Sequence, residues 1–309
     1  MLLPDLKTYR KQLIQEGATY PLPVVTTGTR GLLKSLPPVP TGKTGWPWDE
    51  ETDAAVYACK TDWPKITIVT PSYNQSDFLE QTIRAVLLQN YPNLEYVVID
   101  GGSTDSSNAI LEKYSPWLSY WRSQKDNGQS HAINLGFSLG SGEYYAWINS
   151  DDYYLKGVFQ LVAGAFIKQH ADFVYGYAYN YKVSTGQFEL VTVPPLLDYF
   201  IKIPTLAQPS CFWRAAINQP VWEEMHCALD YELWLRLVKG KKRYRLTQPL
   251  SVANVHGQAK TSDENMKARW QQDHEKMWSA DGHGPVPEWK RVVFFNRIRL
   301  KIYKLLKVI

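Results

Sequence analysis

The sequence predicts an α/β domain with a largely parallel central sheet, and three observations support this prediction. The run KITIVTPS (65–72) is short and rich in β-branched residues, which is typical of a strand. The next segment, SDFLEQTIRAVLLQN (76–90), repeats apolar residues along one helical stripe, with Ser76 or Asp77 as its N-cap. Strand and helix then alternate throughout residues 65–179. Such alternation is typical of parallel sheets whose strands are joined by helices.

The same signals assign the other elements of this region. The predicted strands are 93–100, 117–123, 143–149 and 171–179, and the predicted helices are 103–114, 128–140 and 156–169. Ser103, Thr104 or Asp105 can cap the helix that follows them. After about residue 180 the alternation breaks, although 230–240 has the pattern of one helix.

The regions before and after residues 65–179 differ from them in amino-acid composition and do not show this alternation. Residues 1–62 are rich in proline, glycine and threonine, which block regular helix and strand, so they are interpreted as an extension. Trp46 and Trp48 within it are expected to pack on the domain, which would make this extension an ordered strap. We therefore predict an N-terminal extension (1–62), one central α/β domain (63–262) and a C-terminal helical region (263–309).

Composition excludes several classes of protein. The chain has 309 residues, of which 44% are hydrophobic, enough for a full core in one large domain or two small ones. A net charge of +4 is too modest to indicate a nucleic-acid binder. Three cysteines without a CxxC pair support neither a disulfide framework nor a zinc site, and reduced thiols favour a cytoplasmic protein. Neither a signal peptide nor an apolar run of the roughly 18–20 residues that a membrane helix needs is visible.

Three polar clusters follow predicted strands, at the edge of the sheet where open α/β folds bind ligands. They are PSYN (71–74), DGGSTD (100–105) and NSDD (149–152). The adjacent carboxylates Asp151 and Asp152 could hold Mg²⁺ or Mn²⁺, or they could form a solvated acidic turn. Neither the GxGxxG fingerprint of dinucleotide binding nor a phosphate-binding P-loop occurs, which disfavours hydride transfer.

Taken together, these clusters carry a family resemblance. The segments TIVTPSYNQSDFLEQTIRAVLLQNYPNLEYVVIDGGSTDSS (67–107) and GQSHAINLGFSLGSGEYYAWINSDDYY (128–154) resemble the family 2 glycosyltransferases, an inverting group with the GT-A fold. The resemblance is dense over about 65–180 and sparser up to 262. It implies transfer of a sugar from a nucleotide diphosphate to an acceptor hydroxyl.

The resemblance also implies roles for residues around the nucleotide. Pro71, Tyr73 and Asp100 match the positions that hold the base, and the aspartate of the family accepts a hydrogen bond from a base N–H, usually uracil. A UDP-sugar is therefore the expected donor. Asp126 and Gly128 fall in the loop that commonly faces the nucleotide-sugar.

A second set of positions concerns the metal and the diphosphate. Asp151 matches the metal-binding carboxylate, with Asp152 beside it at the donor, and Asn149 stands where many relatives have a first aspartate. His256 is expected to ligate Mn²⁺ or Mg²⁺ or to contact the diphosphate, and Lys260 to contact the diphosphate. The residues Thr261 and Ser262 are candidates for the same contact.

The acceptor side is predicted from the segment ALDYELWLRL (228–237). Asp230 matches the general base of the family, with Glu232 as the less favoured candidate, and an acceptor hydroxyl needs a base to become nucleophilic. Asp230 could also simply cap its helix. Gln208 and Trp213 are expected on the acceptor side, with Trp213 stacking on a sugar, whereas the charged residues of the helix, Glu232 included, are expected to be solvated.

The C-terminal segment EWKRVVFFNRIRLKIYKLLKVI (288–309) has apolar and basic residues on different helical faces. The apolar face comprises Phe294, Ile298, Ile302, Leu305 and Ile309, and the basic one Arg297, Lys301 and Lys304. Two interpretations stay open: a helix that binds the cytoplasmic membrane surface, or a terminal helix packed on the domain with a solvated basic face. Membrane binding would suit a lipid-linked acceptor.

The sequence thus favours a metal-dependent, inverting glycosyltransferase that uses a glycan or lipid-linked acceptor in surface polysaccharide or glycoconjugate synthesis. A sugar nucleotidyltransferase is one alternative, but the glycine-rich basic signature expected near its N-terminus is missing. A non-catalytic nucleotide-sugar or glycan-binding protein is the other, and the presence of both Asp151 and Asp230 speaks against it.

Overall fold

The structure is a computed structural model that describes residues 1–25, 27, 31–257, 259–260, 266–279 and 286–309. For residues 278 and 286–289 it describes only the backbone. The predicted domain boundary at 262/263 and the candidates Thr261 and Ser262 lie outside the described residues.

The described residues contain one nine-stranded mixed sheet. Its strands are β1 (Ile66–Ser72), β2 (Leu94–Asp100), β3 (Tyr120–Ser123), β4 (Tyr144–Trp147), β5 (Tyr153–Tyr154), β6 (Phe173–Lys182), β7 (Gln187–Val191), β8 (Cys211–Arg214) and β9 (Arg243–Val255). The order is β3-β2-β1-β4-β8-β6-β9-β5, and β7 pairs with β6. Strands β3, β2, β1 and β4 run parallel, as do β6 and β9, which confirms the predicted α/β domain. Strands β8, β5 and β7 pair in the antiparallel direction.

Eight α-helices accompany the sheet in the described part of the chain. They are α1 (Leu6–Gln15), α2 (Ser76–Leu87), α3 (Ser107–Tyr114), α4 (Gln129–Leu139), α5 (Val158–Gln169), α6 (Leu229–Leu237), α7 (Lys267–Ser279) and α8 (Val286–Leu305). All helices predicted between 65 and 179, and the one at 230–240, are present. Not one of the described helices is both long enough and apolar enough to cross a membrane.

The start of α2 differs from the prediction, because Ser76 is its first helical residue and neither Ser76 nor Asp77 caps it. The carboxylate of Asp105, in the loop after β2, instead accepts from the backbone N–H of Ser76 at 2.9 Å. Its other oxygen accepts from the backbone N–H of Ser107, at the start of α3. One loop aspartate therefore fixes two helix N-termini beside the same edge of the sheet.

The N-terminal extension is ordered on the domain, as the two tryptophans predicted. The indole Nε1 of Trp46 donates to the carbonyl of Tyr154 at 2.8 Å. Arg84 of α2 is fully buried and donates to the carbonyls of Pro47 (3.0 Å) and Trp48 (2.6 Å). These hydrogen bonds hold the N-terminal extension on the domain. They are needed because a buried guanidinium without acceptors would strongly destabilise the fold.

An aromatic core lies beneath the carboxyl end of β4. Trp147 stacks on Trp234 of α6 with ring centroids 5.5 Å apart, and Trp213 of β8 meets both edge-on. Trp213 is 0% exposed and its Nε1 donates to Asn218. The prediction that Trp213 stacks on a sugar is therefore wrong, because its ring belongs to the core that joins β4, β8 and α6.

Candidate active site

Asp100, at the end of β2, ties together the loops on one side of the sheet. Its Oδ1 accepts from the backbone N–H of Ser103 (2.8 Å) and from the hydroxyl of Ser123 (2.7 Å), and its Oδ2 accepts from the Ser103 hydroxyl (2.6 Å). The side chain is 0% exposed. Its contact with a base N–H stays a prediction, since the described partners of this carboxylate are the protein's own donors.

Asp126 is more accessible than Asp100 on the same side of the sheet. A Cβ atom on Gly101 would lie 3.1 Å from Asp126 Oδ1, so glycine is what leaves room for this carboxylate. The same oxygen accepts from the backbone N–H of Gly128 at 2.8 Å. Burial raises the pKa of the half-buried Asp126 carboxyl.

Pro71 and Tyr73 differ in what they offer a ligand. Pro71 is buried within β1, where it pairs with Ile99 of β2. Tyr73 is 60% exposed at the end of the strand, so its ring is free to cover a flat ligand. The structure thus brings Asp126, predicted to face the nucleotide-sugar, to the same edge as the predicted base-binding residues, and Tyr73 and Asp126 are the accessible ones.

The carboxylate of Asp151 meets the imidazole of His256 on the other side of this edge. His256 Nε2 lies 3.1 Å from Asp151 Oδ2, although β4 and β9 supply them from distant parts of the chain. The His256 ring stacks on Phe78 with centroids 4.5 Å apart, which fixes its orientation. The side chain of Asp151 is 19% exposed and that of His256 is 8% exposed. Both predicted metal ligands therefore converge on one partly accessible point.

Asp152 has a different environment from its neighbour Asp151. It is 6% exposed, and its Oδ1 accepts from the backbone N–H of Asn254 at 3.1 Å. Its Oδ2 accepts from Asn149 Nδ2 at 3.3 Å. Burial, and then the negative charge of Asp151, raise the pKa of Asp152 well above the usual range of a carboxyl. Asp152 thus stabilises the loop through its hydrogen bonds. Its contact with the donor stays a prediction.

A chain of side-chain amides joins this loop to Lys260. Gln129 Nε2 donates to Asn149 Oδ1 at 2.8 Å, and Lys260 Nζ donates to Gln129 Oε1 at 2.7 Å. Asn149 also contacts Gln208, whose Nε2 donates to the carbonyl of Trp147 at 3.0 Å. Lys260 therefore lies at the same edge as the carboxylates, and its contact with a diphosphate stays a prediction.

An open cavity of about 170 Å³ adjoins this chain of amides. Gly128, the N-terminus of α4, Lys260 and Arg269 of α7 line it, together with Glu223. Gly128 has φ 102°, a conformation that glycine adopts without strain. Backbone N–H groups at a helix N-terminus and two cations favour negatively charged groups.

Asp230 lies in the first turn of α6, and burial raises the pKa of its carboxyl. Three backbone N–H groups just before α6 donate to one oxygen of Asp273 in α7: His226 (2.9 Å), Cys227 (2.6 Å) and Ala228 (3.0 Å). Asp273 is 1% exposed. A buried side chain of α7 therefore holds the segment directly before α6, two residues ahead of Asp230.

Glu232 and Arg236 are not solvated, contrary to expectation. Glu232 is 0% exposed and pairs with Arg236 Nε at 2.6 Å. Arg236 also donates to Gln219 and to the carbonyl of Pro220. The apolar surroundings of α6 bury this pair, which leaves Asp230 as the carboxylate of α6 suited to proton transfer.

Comparison with known proteins identifies the family. The model described as glycosyl transferase family 2 matches residues 67–225, slightly more than half of the chain. The chain belongs to the family 2 glycosyltransferases. It is therefore a transferase enzyme, and the alternatives of a nucleotidyltransferase and of a non-catalytic binding protein lose their support.

Similar glycosyltransferases occur in several bacteria. An uncharacterized glycosyltransferase of Rickettsia typhi is 25% identical over 233 residues, which cover 70% of this chain and 71% of that protein. GlyG of Streptococcus pneumoniae is 32% identical over 126 residues, 40% of this chain and 42% of its own. TuaG of Bacillus subtilis, whose name assigns it to teichuronic acid biosynthesis, is 28% identical over 144 residues, 45% of this chain and 57% of its own.

Solved structures confirm the GT-A fold. Residues 1–349 of Staphylococcus aureus TarS, solved in complex with UDP-GlcNAc, superpose with a TM-score of 0.56 at 19% identity. The superposition covers 70% of this glycosyltransferase and 67% of that chain. The same TarS residues in complex with UDP give a TM-score of 0.52 at 20% identity.

Sequence reasoning missed three residues that hold this glycosyltransferase's site together. Asn254 Nδ2 donates to the backbone carbonyl of Asp151, while Gln129 and Asp273 make the contacts described above. Asn254 is two positions before His256, so its place in the same strand end was a usable signal. Asp273 lies in a polar helix whose sequence carries no comparable signal.

Among the described residues, no group of three or more His, Cys, Asp or Glu side chains could hold a metal ion.

Proposed function

We propose that this glycosyltransferase moves a sugar from a UDP-sugar to a hydroxyl of a glycan or lipid-linked acceptor, with inversion at the anomeric carbon and with the help of Mn²⁺ or Mg²⁺. Synthesis of a surface polysaccharide or glycoconjugate is the setting we infer. The observation that carries this proposal is the 3.1 Å approach of Asp151 Oδ2 and His256 Nε2 at the carboxyl edge of the sheet.

The geometry of this pair suits an octahedral cation. Two neighbouring ligands at about 2.1 Å from such a cation are about 3.0 Å from each other. Asp151 and His256 form a hydrogen bond at 3.1 Å, and a shared ion would replace this bond with little change in the separation of the two atoms. Two protein ligands leave positions for water and for diphosphate oxygens, and the ion would neutralise charge on the leaving diphosphate. The aspartate that replaces Asn149 in many relatives is not needed for this arrangement.

Asp230 supplies the base in this proposal. The acceptor hydroxyl gives its proton to the Asp230 carboxylate while its oxygen attacks the anomeric carbon from the face opposite the diphosphate. The bond from that carbon to the diphosphate oxygen breaks in the same displacement, which inverts the configuration. A carboxyl whose pKa is raised by burial is a better base than an exposed one at neutral pH.

Two observations favour uracil as the base of the donor. TarS shares the fold and is solved with UDP-GlcNAc and with UDP. The accessible pair Tyr73 and Asp126 offers a flat ring and a hydrogen-bond acceptor, which suit a base with an N–H group. A polysaccharide product is supported by the similarity to TuaG.

Calorimetric titration of UDP, GDP and dTDP, each with and without Mn²⁺, tests the donor and the metal. We expect UDP to bind best and Mn²⁺ to strengthen its binding. Asp151→Asn should remove the Mn²⁺ effect, whereas Asp62→Asn, at a side chain 84% exposed, should preserve it. Equal binding with and without Mn²⁺ in the wild type would overturn the metal assignment.

Turnover tests the base independently of binding. Hydrolysis of UDP-sugars to UDP and sugar, or transfer to an added acceptor, should fall by about 10²–10⁴ in Asp230→Asn. UDP binding should be unchanged in this variant. Full turnover in Asp230→Asn would assign the base to another residue.

A further inference from the structure

Helix α8 packs on the domain through one face only. Val292, Asn296 and Arg299 are 6%, 6% and 7% exposed. The Arg299 guanidinium lies 4.0 Å from the ring centroid of Phe200, which belongs to the domain. These contacts fix the rotation of α8 about its own axis, so the opposite face must point away from the domain.

One side of the outward surface of α8 is apolar. Phe294, Ile298, Ile302 and Leu305, which we call the outer face, are 61%, 42%, 47% and 82% exposed. Their spacings of four, four and three residues place them on one line along the helix. Single exposed apolar residues are ordinary, but a continuous stripe of them marks a surface that binds something. The second interpretation left open by the sequence, a helix packed on the domain with a solvated basic face, agrees with the burial of Val292, Asn296 and Arg299 but does not account for this exposed apolar stripe.

A second element widens the apolar surface. The short 3₁₀ turn Asp198–Phe200 presents Tyr199, which is 52% exposed and lies 6.4 Å from Phe295 between ring centroids. The adjacent Leu197 is 44% exposed. An open cavity of about 390 Å³ lies between this turn and α8.

Basic side chains border the outer face. Arg297, Lys301 and Lys304, which we call the basic stripe, are exposed. Because an α-helix turns by about 100° per residue, these three side chains lie along one side of the outer face. Residues 290–309 contain seven Lys and Arg and no Asp or Glu. A second copy of this chain would bring two basic stripes together, and their repulsion disfavours a dimer through this face.

We propose that the outer face and the basic stripe of α8 dock this glycosyltransferase on an anionic lipid surface. Apolar side chains would enter the boundary between headgroups and acyl chains while Lys and Arg contact the headgroup phosphates. Tyr199 at the border is suited to the headgroup level, where aromatic rings with a polar end are enriched. The inference does not depend on the identity of the donor, because no residue of this surface belongs to the candidate active site.

Sedimentation of the full chain with phosphatidylcholine vesicles, with and without phosphatidylglycerol, tests the proposal. We expect binding to the anionic vesicles that is at least about tenfold stronger than to neutral ones. Replacing the basic stripe (Arg297→Gln, Lys301→Gln and Lys304→Gln together) should weaken it by roughly a hundredfold. A matched control changes three exposed lysines elsewhere, Lys11, Lys34 and Lys168, to glutamine and should bind like the wild type.

The apolar contribution needs its own pair of variants. Ile298→Ser with Ile302→Ser should abolish binding to anionic vesicles, whereas Leu161→Ser with Ile167→Ser, two exposed positions on α5, should not. Thermal unfolding of every variant should match the wild type, which separates loss of docking from loss of fold. Absence of vesicle binding by the wild type, equal loss in the control variants, or a dimer that dissociates on Ile298→Ser would each overturn the proposal. UDP titration of the same variants reports on the active site separately.

Discussion

His256 Nε2 and Asp151 Oδ2 lie 3.1 Å apart, and 105 positions of the chain separate the two residues. Strand β9 delivers the imidazole to the loop after β4, and Phe78 of α2 holds its ring in place. A local acidic turn would not need a histidine from so far away. The contact therefore shows that Asp151 is not part of a merely solvated acidic turn, and the cation between the two residues stays a proposal.

Removal of the imidazole should weaken the metal-dependent part of nucleotide binding. For His256→Asn we expect the Mn²⁺-dependent gain in UDP affinity to fall by about tenfold or more, since one of two protein ligands is lost. Calorimetry with and without Mn²⁺ measures this gain. His170→Asn is a matched control, because His170 is exposed at the end of α5 with φ 49°, a conformation that asparagine tolerates. An undiminished Mn²⁺ effect in His256→Asn would show that the imidazole is not a ligand.

The two aspartates near the base-binding edge should respond differently to alanine. Asp100→Ala leaves the partly buried donors of Ser103 and Ser123 without their acceptor, so we expect a loss of about 2 kcal/mol in the free energy of unfolding. Asp126→Ala should cost little stability but weaken UDP binding by about tenfold. Urea unfolding and UDP titration of both variants measure the two effects. A reversed pattern would make Asp100 the contact to the base.

The raised pKa of Asp230 should appear in the pH dependence of turnover. The base acts when deprotonated, so kcat/KM should fall as the pH drops, with an apparent pKa above the ordinary value of 3.8 for aspartate. The same shift has a consequence for stability. Because the folded pKa exceeds the unfolded one, the stabilisation from this group is complete below pH 3.8 and is lost as the pH rises through the folded pKa.

Asp230→Asn provides the matching measurement. The variant should be at least as stable as the wild type at neutral pH, since it removes a charge that burial disfavours. Urea unfolding at several pH values should show a difference between the two proteins that grows above the folded pKa. A kcat/KM that stays flat down to pH 3.8 would contradict a raised pKa for the base.

The sequence predicted the alternating elements of residues 65–179 because apolar period and helix caps are local signals. It also predicted that Asp151 and His256 belong to one site. The family resemblance assigned the metal to Asp151 and not to Asp152, but the local sequence of two adjacent carboxylates does not show that Asp152 is buried among Asn149 and Asn254 while Asp151 stays partly accessible. Trp213 was misplaced for a similar reason, because a strand in a mixed sheet can have both faces buried and the sequence does not show which aromatic rings meet.

Asp273 should act as a positioning residue for Asp230. Asp273→Ala leaves the N–H groups of His226, Cys227 and Ala228 without their acceptor, so the first turn of α6 should shift and Asp230 with it. We expect kcat to fall by about tenfold or more while the KM for the UDP-sugar changes little, because a misplaced base slows the chemical step. Asp273→Asn keeps one carbonyl oxygen in place and should restore most of the activity. If both variants lost the same activity, or if KM rose while kcat held, the anion would serve stability or donor binding and not the placement of the base.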